Sequence, residues 1–176
     1  MLSELVRILP PPKNPREAGT VDAWPAVEAA LRFSLPADYK QFINTYGTGG
    51  IDGWVFPFSP FAGDKQLNLE QQIQVRLAAL RQLRDAANEH IPYPIHPELG
   101  GVIPWACTQN GDVLFWIAKG SPSDWTVCIN DARCPEWEAF PYSMVAFLVK
   151  MLRAEVKVSI FPSDLEFGRG SSFVII

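Results

Sequence analysis

Cysteine and histidine are scarce in this 176-residue chain: three Cys and two His, with no C-x-x-C or H-x-x-x-H spacing to preorganise a metal site. His90, His96, Cys107, Cys128 and Cys134 are therefore not expected to hold zinc, and no cofactor is expected. Three scattered thiols fit reduced cysteines in a cytoplasm better than a disulfide framework. No run of Lys or Arg forms a stripe and the net charge is −4, so the electrostatic footprint of a nucleic-acid binder is missing. A basic partner suits such a chain better than an acidic one. No stretch reaches the roughly 18 apolar residues that a membrane helix needs. The opening MLSELVRILPPPKNPR lacks a positive n-region and its apolar run is cut by prolines, so no secretory leader is expected. Internal repeats and low-complexity tracts are absent as well.

What is present is globular. Apolar residues make up 48% and charged residues 19%, and the length suits one domain over residues 1–176 that buries more than half of its unfolded surface. Six Trp and eleven Phe are too many to lie outside the core, although a few left at the surface would serve as contact anchors.

Patterning predicts a short helical stretch over residues 1–9, with Ser3 as its cap and Pro10-Pro11-Pro12 as its end. Asp22 is placed to cap a helix through Leu31 that carries Trp24, Val27 and Leu31 on one face. A second helix starts near Pro36 and runs through ADYKQFINTY, with Leu35, Tyr39, Phe42 and Ile43 at helical spacing and Gly47 as a left-handed stop. IDGWVFPF reads as one strand closed by Pro57. Asn68, with Gln71 three residues on, opens the longest helix, whose apolar stripe is Leu69, Ile73, Leu77, Leu80 and Leu83 or Arg84, with the Gln and Arg residues on the opposite face. The prolines between His90 and Gly100 impose an extended connection. GVIPWACT, DVLFWIAK, WTVCIND and EWEAF then form a meander. DVLFWIAK is apolar on both faces and should be central, whereas WTVCIN alternates and should have one wetter face. PYSMVAFLVKMLRAE is an amphipathic helix, and the terminal FVII is expected to pair as an edge strand within the same sheet.

The glycines of GTGG follow a helix and precede a strand, the reverse of a phosphate-binding turn, and no Gly-Lys-Ser or Gly-Lys-Thr follows, so a structural turn is expected. Asp124, Asp131, Glu136 and Glu138 cluster in sequence near the last two strands, where a solvated strand edge is the default. General acid and base work by them would need a pocket and shifted pKa values, and a Cys-His pair would need an electropositive setting to activate the thiolate.

Trp24, LPADYKQF (Leu35 to Phe42), YGTGGI (Tyr46 to Ile51), Pro57, NGDVLFW (Asn110 to Trp116) and the closing helix with Phe147 and Leu148 together resemble the SUKH superfamily, which includes the SMI/KNR-type proteins. The resemblance covers about residues 20–162 and leaves a lead-in (1–19) and a C-terminal tail (163–176) outside. It implies an α+β fold, a curved and mainly antiparallel sheet flanked by helices. It also implies a non-catalytic immunity protein that binds and neutralises a cognate toxin of a bacterial polymorphic or contact-dependent system. A regulatory scaffold of the cell-wall regulator type is the alternative, and an enzyme using the acidic cluster or a Cys-His pair is the second. In the immunity reading Asp124, Asp131, Glu136 and Glu138 form a docking surface for a basic toxin such as a nuclease, and Trp125 and Trp137 supply anchor area. The protein itself is expected to be a monomer or weak homodimer, without nucleic-acid or membrane contacts.

Overall fold

The computed structural model describes residues 1–165, 167–168 and 170–176. Helix α1 (Leu2–Ile8) buries Leu5 and delivers Leu9, also fully buried, before the proline run ends it. Ser3 lies inside this helix, whose N-cap is Met1, and so does not cap it. Asp22 is not the cap of the next helix either. It sits in a single 3-10 turn (Val21–Ala23) that feeds directly into α2 (Trp24–Leu31), where Pro25 occupies the first turn. Helix α3 (Ala37–Tyr46) buries Tyr39, Phe42, Ile43 and Tyr46. Gly47 ends it at φ 68° and ψ −150°, a positive φ but a more extended conformation than the expected left-handed helical cap.

IDGWVFPF is two strands rather than one: β1 (Gly49–Ile51) and β2 (Val55–Pro57) pair antiparallel with Ile51 opposite Val55. Asp52 and Gly53 take φ of 52° and 63°, and the Trp54 N–H closes the turn onto the Ile51 carbonyl at 2.9 Å. Positive φ at both central positions marks the primed hairpin turn that Asp-Gly favours. Helix α4 (Leu69–Ala86) opens as expected, the Asn68 side chain accepting the Gln71 N–H at 3.2 Å. The meander follows as β3 (Val102–Thr108), β4 (Val113–Ile117), β5 (Thr126–Asn130) and β6 (Trp137–Phe140), then α5 (Met144–Leu152) and β7 (Phe173–Ile175).

The seven strands form one open sheet in the order β6-β5-β4-β3-β2-β1-β7, every pair of named strands antiparallel. With helices on its faces this is the expected α+β architecture, and a bulge between Pro104 and Ala106 bends β3. On one face Tyr39 of α3 meets Trp116 edge-on at 5.0 Å, and Phe147 of α5 meets Phe140 at 4.9 Å. Asp38, in the first turn of α3, accepts the Val145 N–H at 3.1 Å and so caps α5 across 107 residues of sequence. The Tyr39 and Tyr46 hydroxyls donate to the Phe58 and Leu9 carbonyls, each at 2.7 Å. The opposite face is covered by α4, which packs on β3, and by the proline-rich connection, whose Tyr93 meets Trp137 at 5.4 Å.

Strand β4 is central and buried on both faces, as its composition predicts. Strand β5 lacks the wetter face expected of it: Val127, Cys128 and Ile129 are all fully buried. Cys128 stands opposite Phe115 and Ala139 on the face that the connection roofs over, so a small residue is enclosed there where alternation implied solvent. Strand β7 pairs with β1 within the chain, Gly49 opposite Ile175 and Phe173 opposite Ile51. A Cβ at Gly49 would strike the Val174 carbonyl and the Phe173 ring, which explains why this turn needs glycine at that position.

Candidate partner-binding surface

The six residues singled out near the end of the sheet do not form one patch. Asp124 precedes β5 and Asp131 follows it, so the strand holds them roughly 20 Å apart. Asp124 is bound into its own turn, its carboxylate accepting the Ser121 N–H at 3.1 Å. Trp125 is 6% exposed and packs on Trp116 at 5.8 Å, which makes it core rather than an anchor. In β6, Glu138 pairs with Ile129 while Trp137 pairs with Asn130, so the two neighbours point to opposite faces. The Glu138 carboxylate accepts the Ser159 N–H at 2.8 Å on the α5 side. Trp137 lies half-buried on the other side against Tyr93 and Phe115. Glu136 alone of the four acids at this end is exposed with its side chain uncommitted to the hydrogen bonds of the described residues.

The β5–β6 loop that carries Asp131 and Glu136 is held from below by a residue outside the acidic cluster. Asp112, fully buried at the start of β4, accepts the Thr108 hydroxyl at 2.8 Å and the Ala132 N–H at 3.1 Å. It reaches the loop because Gly111, at φ 92°, turns the chain tightly between β3 and β4. Above it, Asp131 accepts the Arg133 N–H at 2.7 Å, with the Arg133 guanidinium at 3.6 Å. Partial burial pushes the Asp131 carboxyl up, but these contacts and hydrogen bonds from Cys134 outweigh it and leave the group below the usual carboxylate range. Between this loop and α4 opens a cleft of about 370 Å³, floored by Leu80, Val113 and Phe115, with Arg76 on one wall and Asp131 on the other. The arrangement is an apolar concavity with mixed charge at its rim, suited to receiving a side chain of a partner protein.

Cys107 and Cys128 lie away from this cleft and Cys134 lines it beside Asp131, and none of the three thiols is activated. Burial pushes Cys107 and Cys128 up, and desolvation with the neighbouring Asp131 carboxylate does the same to Cys134. Protonated thiols are poor nucleophiles. The His96 ring stands edge-on to Phe33 at 4.9 Å, and burial together with nearby Arg81 holds its imidazole below the ordinary range. Among the described residues, no three His, Cys, Asp or Glu side chains gather as a metal-binding group, and no helix is long and apolar enough to cross a membrane.

A family model described as SMI1-KNR4 cell-wall (SUKH_6) matches residues 22–147, well over half of the chain. The chain belongs to the SUKH superfamily. Neither curated proteins nor solved structures gave a significant match. Within this SUKH chain the matched span runs from the 3-10 turn before α2 to the middle of α5, and so includes Asp38, the β1–β2 hairpin, Asp112 and the cleft. The tail strand β7 lies outside the matched span, yet it completes the sheet against the matched glycine turn. Sequence reasoning missed Asp112 and Asp38 as fixing points. Each lay inside a motif already noticed, NGDVLFW and LPADYKQF, and an acid flanked by turn or helix-start residues is the signal that marks such a role.

Proposed function

We propose that this SUKH chain is a cytoplasmic immunity protein that neutralises a cognate toxin enzyme by binding it, with no chemistry of its own. Membership of a generally non-catalytic family carries the reading. The absence of an activated nucleophile among the thiols and the net charge of −4 agree with it. The toxin is a basic domain such as a nuclease, drawn in by opposite charge and blocked sterically. The face assigned to it is the β5–β6 loop with the adjoining cleft. There the exposed Glu136 supplies negative charge beside a cleft floored by Leu80 and Phe115 and rimmed by Asp131, Arg133 and Arg76, whereas Glu138 points to the opposite, α5 side. Asp124 and Trp125 fall outside that face, and Trp137 supports it from beneath.

The test is titration of the purified toxin domain with wild-type protein and with Glu136→Lys, at low and high salt. Reversal of an exposed rim charge should weaken binding about tenfold, mostly through association rate, and flatten the salt dependence. Unchanged affinity with unchanged salt dependence would refute this face. The family description as a cell-wall type favours a second reading, a regulatory scaffold on the same fold. That reading predicts a stable complex whose partner is not toxic to cells.

A further inference from the structure

The open sheet has two outer strands, β6 and β7, and their edges are built differently. Pro135 and Pro141 bracket β6, and Glu136 and Glu138 lie along it, the devices by which proteins keep further strands from adding to an edge. Strand β7 has none of them. Residues 170–176 include no charge and no proline, and Val174, Ile175 and Ile176 are 52%, 40% and 47% exposed in succession. The bonds to β1 fix which backbone groups of β7 remain. The Asp52 N–H donates to the Ser172 carbonyl at 2.9 Å, the Ser172 N–H donates to the Asp52 carboxylate at 2.6 Å, and the Val174 carbonyl is directed at Gly49. Positions 172 and 174 therefore face β1, and the alternation of an antiparallel ladder turns the N–H and C=O of Phe173 and Ile175 outward. Among the described residues no other strand or loop bonds to these groups.

We propose that this edge joins two copies of the chain, β7 against β7, antiparallel about a twofold axis at Val174. Three observations select a second copy as the occupant. With Val174 opposite Val174, Phe173 of each copy stands opposite Ile175 of the other, so each outward N–H of one strand meets an outward carbonyl of the other and none is left over. The side chains match in the same register. The two Val174 side chains meet on the α4 side, and Ile175 of each copy covers Phe173 of the other, whose ring lies on the opposite side against Tyr46 at 5.1 Å. The charges match as well. The Asp52 carboxylate is bonded to β7 at Ser172, and the Arg16 guanidinium is bonded to it at the Ile176 carbonyl at 3.3 Å. The twofold sets Ser172 of one copy opposite Ile176 of the other, so the acidic end of each edge faces the basic end of its mate, whereas a parallel pairing would set like against like. Arg76 and Asp64, of opposite sign, line the cleft beside Ile176, and Glu17 is bonded to the Gly63 N–H, so Arg16 is the charge held on the strand at that end among the described residues. The contact is smaller than the roughly 800 Å² per partner of a standard interface, which makes the dimer weak and reversible. Because β6 and β7 are opposite edges of the sheet, the pairing leaves the β5–β6 loop open, and the inference does not depend on what that loop binds.

Sedimentation equilibrium of the full chain tests it, from micromolar to millimolar concentration, for wild type, Val174→Glu, Val174→Lys and an equimolar mixture of the two variants. Wild type should approach twice the monomer mass. Each variant should remain monomeric, its dimer at least about tenfold weaker, because like charges stand directly opposite on the axis. The mixture should regain dimer mass, since a twofold at residue 174 brings Glu and Lys together. Amide exchange followed by NMR gives a second readout on wild type: the Phe173 and Ile175 N–H groups should slow with rising concentration, while that of Val174, turned to β1, should not change. A wild type monomeric throughout, which is the result if β7 accepts a strand of some other protein or none, would overturn the proposal. So would a variant that dimerises like wild type, a mixture that stays monomeric, or exchange at 173 and 175 that ignores concentration. Should a charged variant lose β7, Ile175→Pro asks the same question, because it removes an outward N–H that β1 does not use. Weakened dimerisation then supports the contact and unchanged dimerisation overturns it.

Discussion

Replacing Asp112 by alanine should destabilise the protein by about 3 kcal/mol and loosen the loop on which partner binding is placed. The carboxylate is fully buried and accepts two hydrogen bonds, from the Thr108 hydroxyl at 2.8 Å and the Ala132 N–H at 3.1 Å. A hydrogen bond to a charged group contributes about 1.5–3 kcal/mol, and alanine leaves two donors without their acceptor. Removal of a buried charge gives some of that back, which brings the net to about 3 kcal/mol. Asp112→Asn keeps the volume, can still accept from Ala132 and can donate to the Thr108 oxygen, so it should cost only about 1 kcal/mol. Urea unfolding followed by tryptophan fluorescence measures both, with wild type as reference and a check that the slope is unchanged. Stability of Asp112→Ala within about 1 kcal/mol of wild type, or equal losses for the two variants, would refute the account of this residue.

Two further predictions concern the sheet's far edge and the acid limb of stability. Gly49→Ala places a methyl group against the Val174 carbonyl and the Phe173 ring, and should cost about 1–3 kcal/mol by prising β7 from β1. Hydrogen exchange should then show faster exchange across residues 173–175, whereas retained protection would contradict the close-approach argument. Glu28 accepts the Lys40 ammonium and the Leu35 N–H, both at 2.8 Å. Partial desolvation pushes its carboxyl up, but these partners outweigh it and hold the group below its ordinary 4.5. A depressed folded pKa stabilises fully above the unfolded value and is lost as pH falls through the folded one. Glu28→Gln should therefore cost about 1 kcal/mol at neutral pH, with the gap in melting temperature closing well below pH 4.5. A gap that is the same at both ends would show that charge plays no part.

Much of the fold was legible in the sequence because the signals were local. Asn68 with Gln71, Pro36, and the apolar periods of α3, α4 and α5 each act within a turn or two of the chain. The hairpin at Asp52–Gly53 was equally local, but its Asp-Gly signal was absorbed into a longer apolar run, so two strands read as one. Other features depend on contacts between distant segments. The enclosure of Cys128 is set by a connection more than thirty residues earlier, folded across the sheet, and alternation along β5 cannot reveal it. The acidic cluster failed as a unit for a similar reason: closeness in sequence does not survive a strand that carries Asp124 and Asp131 to opposite ends. Tryptophan identity was ambiguous from the start, and burial decided Trp125 for the core.

The most direct measurement of the central claim is growth. A candidate toxin domain is expressed in cells with and without the protein, and the two chains are then sought together by co-purification. The account predicts arrest by the toxin alone, growth when both are present, and a stoichiometric complex. Arrest that persists in the presence of abundant, folded protein, with no complex recovered, would contradict immunity by binding for that pair and leave the scaffold reading in its place.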